Sequence, residues 1–341
     1  MREDNNKNNP LHINTLDQKG KASMKTRIVT AVIVLAAFLP CLFIGDWLFY
    51  AICIAILAIG VYEVLHVIDH TDFFTYFFTF TSALLIMSWP IIRVALYNIG
   101  NPSFTFMPHL YYYFDSIYIS LILITLSIIE LFFLVTVYKD FTVRDACFVF
   151  TICIILCMGL QSFLFLRYFP LFEIKDSIPQ YGWFILNYET VFRSTFLILY
   201  VLIATIMTDT GAYFVGVFFG RHKMNERISP KKTWEGFVGG IVISVATSFG
   251  FGMICCCTSN PMIKLLDLNH WYFILILSLI LPFIATLGDF VFSSLKRYYN
   301  IKDFGNLLPG HGGVLDRIDS LIFAALVTAV FISIISGNYL V

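Results

Sequence analysis

Charged side chains are scarce in this sequence. Asp, Glu, Lys and Arg supply 13% of its 341 residues, about half the share usual in water-soluble domains, which excludes an ordinary soluble fold. Neither sign is in excess, with 22 basic and 22 acidic residues, which excludes reading the whole chain as a basic nucleic-acid binder or an acidic disordered one. No CxxC pair or neighbouring histidine accompanies the eight cysteines, Cys41, Cys53, Cys147, Cys153, Cys157, Cys255, Cys256 and Cys257. Zinc spacing is therefore missing, and the cysteines read as small apolar residues in or against apolar runs. No internal repeat is visible, and the only biased segment is an Asn-rich leader (Asn5, Asn6, Asn8, Asn9), expected to be a disordered tail. The first apolar run begins after a polar leader of about 27 residues, with no small-residue cleavage site behind it. A retained first helix is expected, not a signal peptide.

What the chain has is hydrocarbon: 59% hydrophobic residues and a mean hydropathy of +0.82. A transmembrane helix needs about 20 mostly apolar residues. That rule predicts an all-α, polytopic integral membrane protein with about nine spans, near 28–45, 47–68, 73–93, 117–138, 145–166, 194–219, 237–257, 270–290 and 320–337. The third contains Pro90, and in the sixth Asp209, Thr210 and a run of glycines are able to break the helix.

The basic residues test this threading. With the N-terminus in the cytoplasm, the leader and the fourth, sixth and eighth connections hold 17 Lys and Arg, whereas Arg93, Arg167, Lys175, Arg193 and Lys264 are the five on the other face. The positive-inside rule expects that asymmetry, so the predicted topology is N-in, C-out. It divides the chain into a cytoplasmic leader (1–27), N-terminal transmembrane helices (28–200) and a catalytic transmembrane region (201–341) with two cytoplasmic loops.

Topology alone accounts for basic loops, so their detail matters. The sixth connection reads RHKMNERISPKKTWEG over 221–236. Ser229 and Pro230 are expected there as N-cap and first helical position, so that free N–H groups beside Lys231, Lys232 and Thr233 form a phosphate cradle. Upstream, Asp209 opens DTGAYFVG at the cytoplasmic end of the sixth span. A carboxylate there needs a partner, a metal or a proton, and a capping or interhelical hydrogen bond is the plainer account. Gly211, Gly216 and Gly220 recur at spacings that permit close helix packing.

The eighth span ends at Gly288 and Asp289, followed by SSLKRYYNIKD (293–303) and LPGHGGVLDRID (308–319). Acidic elements ending one helix and entering the next can converge on a divalent metal, and oxygen-only ligands favour Mg²⁺ or Mn²⁺ over zinc. Asp316 and Asp319 share a helix face, where carboxylates also complement the helix dipole. His311, Gly312 and Gly313 supply flexible backbone able to approach a ligand and to present an anion nest.

Here the sequence resembles the signature of the CDP-diacylglycerol synthase (phosphatidate cytidylyltransferase) family, on Ser293, Leu295, Lys296, Arg297, Lys302, Asp303, Gly305, Leu308, Pro309, His311, Gly312, Gly313, Val314, Asp316, Arg317, Ile318 and Asp319. Residues 209–213 and 229–236 resemble that family too, so the likeness covers most of 205–320; the first 200 residues resemble it only in being spans. The resemblance implies a nucleotidyltransferase of phospholipid biosynthesis that converts CTP and phosphatidate into CDP-diacylglycerol and pyrophosphate. It implies Mg²⁺, with Mn²⁺ as alternative, held by Asp289 and Asp316, with Asp319 and Asp209 as further candidates. Asp289, Lys296, Arg297, Asp316 and Arg317 form the implied catalytic set. Asp209, Ser229, Lys231, Lys232, Thr233, Ser293, His311, Gly312 and Gly313 are the implied substrate contacts, His311 as a hydrogen-bond donor in preference to a base. The implied partners are CTP, phosphatidate and the bilayer, with room for a homodimer and no nucleic acid. The active site is expected on the cytoplasmic face of a bacterial plasma membrane or an organelle membrane.

Some residues stay open. Glu63 and Glu130 are intramembrane carboxylates, one near the cytoplasmic end and able to snorkel, the other deeper. Trp234 suits either stacking on cytosine or interfacial anchoring, while Phe73 to Phe80 and Tyr111 to Phe114 read as interfacial aromatics. Two rivals stand beside the enzyme. A transporter of an anionic solute would place polar groups at the midplane, but here they cluster at one surface. A CTP-dependent polyprenol kinase would need similar phosphate chemistry, and only the long signature argues against it.

Overall fold

The computed structural model describes residues 36–43, 46–99, 117–174, 188–257, 262–263, 266–307 and 312–336. After a helical segment at 36–43, eight helices follow: α1 (Asp46–Val67), α2 (Phe73–Ile99), α3 (Ile117–Val137), α4 (Val143–Ile174), α5 (Tyr188–Phe219), α6 (Trp234–Cys257), α7 (Trp271–Tyr298) and α8 (Leu315–Ser336). Six of them, α1 and α4 to α8, are long and apolar enough to cross a membrane; α2 and α3 carry the shorter apolar stretches Phe73–Met87 and Leu121–Val137. In hydrocarbon every backbone group must be satisfied within the segment, which is why such runs become helices. The first predicted span lies largely outside the described residues.

Three boundaries differ from expectation. Helix α5 passes unbroken through Asp209, Thr210 and Gly211, and it also crosses the domain division placed at residue 200. The glycines face a neighbour: a Cβ on Gly211 would lie 3.1 Å from Gly240 Cα, and one on Gly236 3.1 Å from Gly216 Cα. Close backbone packing between α5 and α6, the most extensive helix pair, thus offsets glycine's poor helix propensity. Ser244 Oγ of α6 donates to Ala204 O of α5 at 2.7 Å, and Tyr200 Oη of α5 lies 2.6 Å from Ser278 Oγ of α7. Helix α8 starts at Leu315, which brings Asp316 and Asp319 into its first two turns.

The third difference corrects the reading of Ser229 and Pro230. They do not open a helix; they belong to a strand, β2 (Ser229–Thr233), paired antiparallel with β1 (Lys223–Asn225). Asn225 Oδ1 accepts the Ile228 N–H at 3.2 Å and closes the turn. Pro230, with no N–H to give, is tolerated on so short an edge. The cap of α6 is Thr233, whose Oγ1 accepts the Gly236 N–H at 3.2 Å.

Connections from the two halves of the chain meet at one end of the bundle. His70, between α1 and α2, packs edge-on against Phe141, between α3 and α4, with ring centroids 5.3 Å apart. Arg144 at the start of α4 lies 4.8 Å over the Tyr298 ring at the end of α7. Arg297 Nε donates to Ile228 O of the hairpin at 3.3 Å. The hairpin, the loop after α7 and the first turn of α8 therefore share that end. At the start of the bundle, buried Arg167 of α4 donates from Nε to Leu42 O at 3.0 Å.

Candidate active site

Two ion pairs organise the polar end of the bundle. Lys296 Nζ, on the last turn of α7, donates to Asp316 Oδ1 at 2.8 Å, and the two side chains are only 10% and 2% exposed. The other oxygen, Asp316 Oδ2, accepts the N–H groups of Phe304 at 2.8 Å and Gly313 at 2.9 Å. One carboxylate thus ties α7, the following loop and the start of α8 together, and it leaves a buried ammonium paired, as burial requires. Gly312 sits at φ +86°, in the left-handed region, and a Cβ there would come 3.0 Å from Asp316 Oδ2. Glycine is required at that position on both counts.

The second pair joins the hairpin to α7: Lys232 Nζ lies 2.5 Å from Asp289 Oδ2, and its ammonium stands 4.4 Å from the centre of the Phe290 ring. Ser293 Oγ donates to Asp289 Oδ1 at 3.1 Å, one helical turn on. Strand alternation explains why only one lysine of the pair does this. Lys232 turns inward and is partly buried, while Lys231 is exposed.

Asp289 is the centre of an acidic group. Asp209 of α5 and Asp319 of α8 each feel its negative charge; Asp209 also feels Lys232 and Arg317, and Asp319 feels Lys296 and Asp209. Asp209, Asp289 and Asp319, on three helices, therefore lie within electrostatic reach of one another and of Lys232, Lys296 and Arg317, while Asp316 is given to the loop. Asp319 Oδ1 accepts the Ser320 N–H at 2.7 Å.

Other expected residues have different company. Arg297 is exposed and spends its donors on backbone carbonyls, Nε to Ile228 O and Nη1 to Ile301 O at 3.2 Å. Thr233 is the buried cap of α6, Ser229 is half-buried on β2, and Trp234 is exposed. His311 lies outside the described residues. Glu130 accepts from Thr81 Oγ1 between α2 and α3, and its Oε2 has no hydrogen-bond partner among the described residues. A cavity of about 480 Å³ lined by Ala58, Tyr62, Glu63, Tyr76, Phe304 and Leu307 lies beside the loop and is mostly apolar. It is not where the charges converge, so charge and not concavity marks the site.

Two anchors had no assigned role in the sequence reading. Glu235, in the first turn of α6, accepts the backbone N–H of Arg221 at 3.0 Å and lies 2.5 Å from His222 Nδ1, holding the hairpin's entry. Glu63, treated below, holds the start of α8. The one available signal was that each is a carboxylate within an apolar helix.

Hard carboxylate donors suit Mg²⁺. Among the described residues no three Asp, Glu, His or Cys groups lie close enough together to hold an ion by themselves. Mg²⁺ is commonly held by one or two carboxylates together with substrate phosphates, so the donor set fits that mode.

Residues 25–335 match the model of the Cytidylyltransferase family. The phosphatidate cytidylyltransferase of Bacillus subtilis (strain 168) is 32% identical over 302 residues, 88% of this chain and 94% of that protein. Those of Staphylococcus saprophyticus and Staphylococcus aureus (strain COL) are 40% and 41% identical over 141 residues, which is 41% of this chain and 50% of theirs. A match running through the helices as well as the charged loops means that this chain belongs to the cytidylyltransferase family.

Proposed function

We infer that the chain is a phosphatidate cytidylyltransferase, a membrane nucleotidyltransferase that makes CDP-diacylglycerol and pyrophosphate from phosphatidate and CTP. The observation that carries this reading is the similarity to the Bacillus subtilis enzyme over nearly the whole of both chains. The site's geometry suits the chemistry. Nothing comparable supports transport or polyprenol phosphorylation.

In the reaction an oxygen of the phosphatidate phosphate attacks the α-phosphorus of CTP, a P–O bond forms, and the α–β bridging bond breaks as pyrophosphate leaves with its electron pair. Both reactants are anions, so the chief requirement is fixed positive charge in the right place. Lys296 supplies it from a buried position, pinned by Asp316. Lys232 supplies it from the hairpin, and Arg317 and Lys231 from exposed positions. The lipid phosphate is already ionised near neutral pH, so no residue needs to remove a proton.

Asp289 would hold Mg²⁺ together with substrate phosphates, with Asp319 or Asp209 as a second carboxylate, and the support is that both lie within reach of its charge. When bound, the ion neutralises phosphate oxygens and fixes their approach. Asp316, both of whose oxygens are engaged by Lys296 and the Phe304 and Gly313 amides, serves better as the brace of Lys296 than as a ligand. The site faces the cytoplasm in this reading, supported by the 17 basic residues assigned to that side. There it meets CTP from water and phosphatidate from the leaflet.

The test is an assay of purified membranes for CDP-diacylglycerol from labelled CTP and added phosphatidate. Product should need both substrates, vanish with EDTA and return with Mg²⁺. No product from the wild-type protein overturns the function, and full activity of Asp289→Asn at limiting Mg²⁺ overturns the metal assignment.

A further inference from the structure

The helix that carries Asp316, Arg317 and Asp319 begins without a cap of its own. Val314 occupies the capping place, its carbonyl accepting the N–H of Arg317 at 3.0 Å, and valine has no side-chain acceptor for the free N–H groups of a first turn. The acceptor comes from α1. Glu63 Oε1 accepts the Val314 N–H at 2.7 Å and Oε2 the Leu315 N–H at 2.9 Å, across about 250 residues of sequence. Its side chain is 3% exposed. A carboxylate at a helix N-terminus also meets the positive end of the dipole.

The neighbouring loop is shaped around this carboxylate. A Cβ on Gly305 would come 2.8 Å from Glu63 Oε1, and one on Gly313 2.6 Å from both oxygens. Neither glycine has a positive φ, so the space they leave for Glu63 is the reason for glycine there. Gly313 N–H in turn bonds Asp316, and Asp316 holds Lys296. The contacts form one chain from Glu63 through the 313–315 backbone to Asp316 and the Lys296 ammonium.

We propose that Glu63 is a positioning residue for the cytidylyl transfer: its carboxylate fixes the Gly313–Leu315 backbone and through it the register of Asp316 and Lys296. The proposal rests on the function proposed above. Glutamine keeps the length and size of the side chain but turns an N–H₂ toward one of the two backbone donors. Displacement of catalytic groups by an ångström costs ~10²-fold, so Glu63→Gln should lower kcat, measured per folded protein, by roughly that factor with the KM for CTP close to wild type, while the mismatched amide lowers the thermal unfolding midpoint. Amide hydrogen exchange at Val314 and Leu315 should lose protection.

Gly305→Ala provides a second route if the glutamine variant folds poorly. It pushes the carboxylate aside without removing it, so it should lower kcat in the wild-type background and have little further effect on Glu63→Ala. Wild-type kcat per folded protein in Glu63→Gln, or losses that multiply in the double variant, each overturn the proposal. Wild-type protein that makes no CDP-diacylglycerol overturns the function instead, and the amide exchange then still decides whether Glu63 holds the α8 start.

Discussion

Removing the Asp316 carboxylate alone should be worse than removing both charges of the Lys296–Asp316 pair. In Asp316→Asn the amide oxygen still accepts from Phe304 and Gly313 N–H, but a buried ammonium faces an N–H₂ where it had a carboxylate at 2.8 Å. Stranding a buried charge in this way costs ~3–5 kcal/mol. Lys296→Met leaves a carboxylate that keeps two backbone donors at a helix N-terminus, so its cost is nearer that of one charged hydrogen bond, ~1.5–3 kcal/mol. The double variant has neither charge, and its asparagine oxygen still serves both backbone donors. Its cost should fall below that of Asp316→Asn alone, a coupling of about 2 kcal/mol, within the range for residues in one network. Denaturant titration of the detergent-purified protein, followed by tryptophan fluorescence, measures the three values. CDP-diacylglycerol synthesis should be lost in all three, because stability is recovered without the ammonium that the reaction needs. Single-variant costs that simply add in the double variant would refute the argument, since they would mean that the pair does not interact in the folded protein.

Three further outcomes follow from the fold. Lys232→Ala should reduce activity much more than Lys231→Ala, since only Lys232 is turned onto Asp289; steady-state kinetics in both CTP and phosphatidate distinguish them. Gly240→Ala should destabilise the protein by ~1–3 kcal/mol, an overpacking cost, because its Cβ would meet the Thr208 carbonyl at 2.7 Å, and thermal unfolding in detergent reads the shift. Thr233→Ala should cost ~1 kcal/mol by removing the α6 cap, and amide exchange at Gly236 should rise with it.

Hydropathy exposed most of the helices because lipid leaves an apolar run so few alternatives, and the polar connections that charge counting put on one face meet in the fold where Arg297 reaches Ile228. The hairpin was not legible: Ser229 followed by Pro230 satisfies a local rule for a helix start, while the pairing of β2 with β1 and the true cap at Thr233 depend on a turn closed by Asn225. The residues of the site were legible as types, and their partners were not. Two aspartates three apart were both read toward the metal, yet one is bonded to a lysine and two loop amides, and the other lies in the field of Asp289. Spacing along a helix fixes which face a side chain shares, but the choice of partner is made by helices distant in sequence. Glu63 is the extreme case, since nothing near it in the chain hints at an α8 amide.

Arg144 lying over Tyr298, with Tyr299 5.8 Å away, bears on how the molecule divides. The N-terminal helices reach the reactive end twice, through this stacked guanidinium and through the carboxylate of α1. They act as a bracket around the charged loops as well as an anchor in lipid. A fragment carrying only the signature-bearing half would contain every residue assigned to phosphate chemistry and still lack both sides of the vice that holds them still.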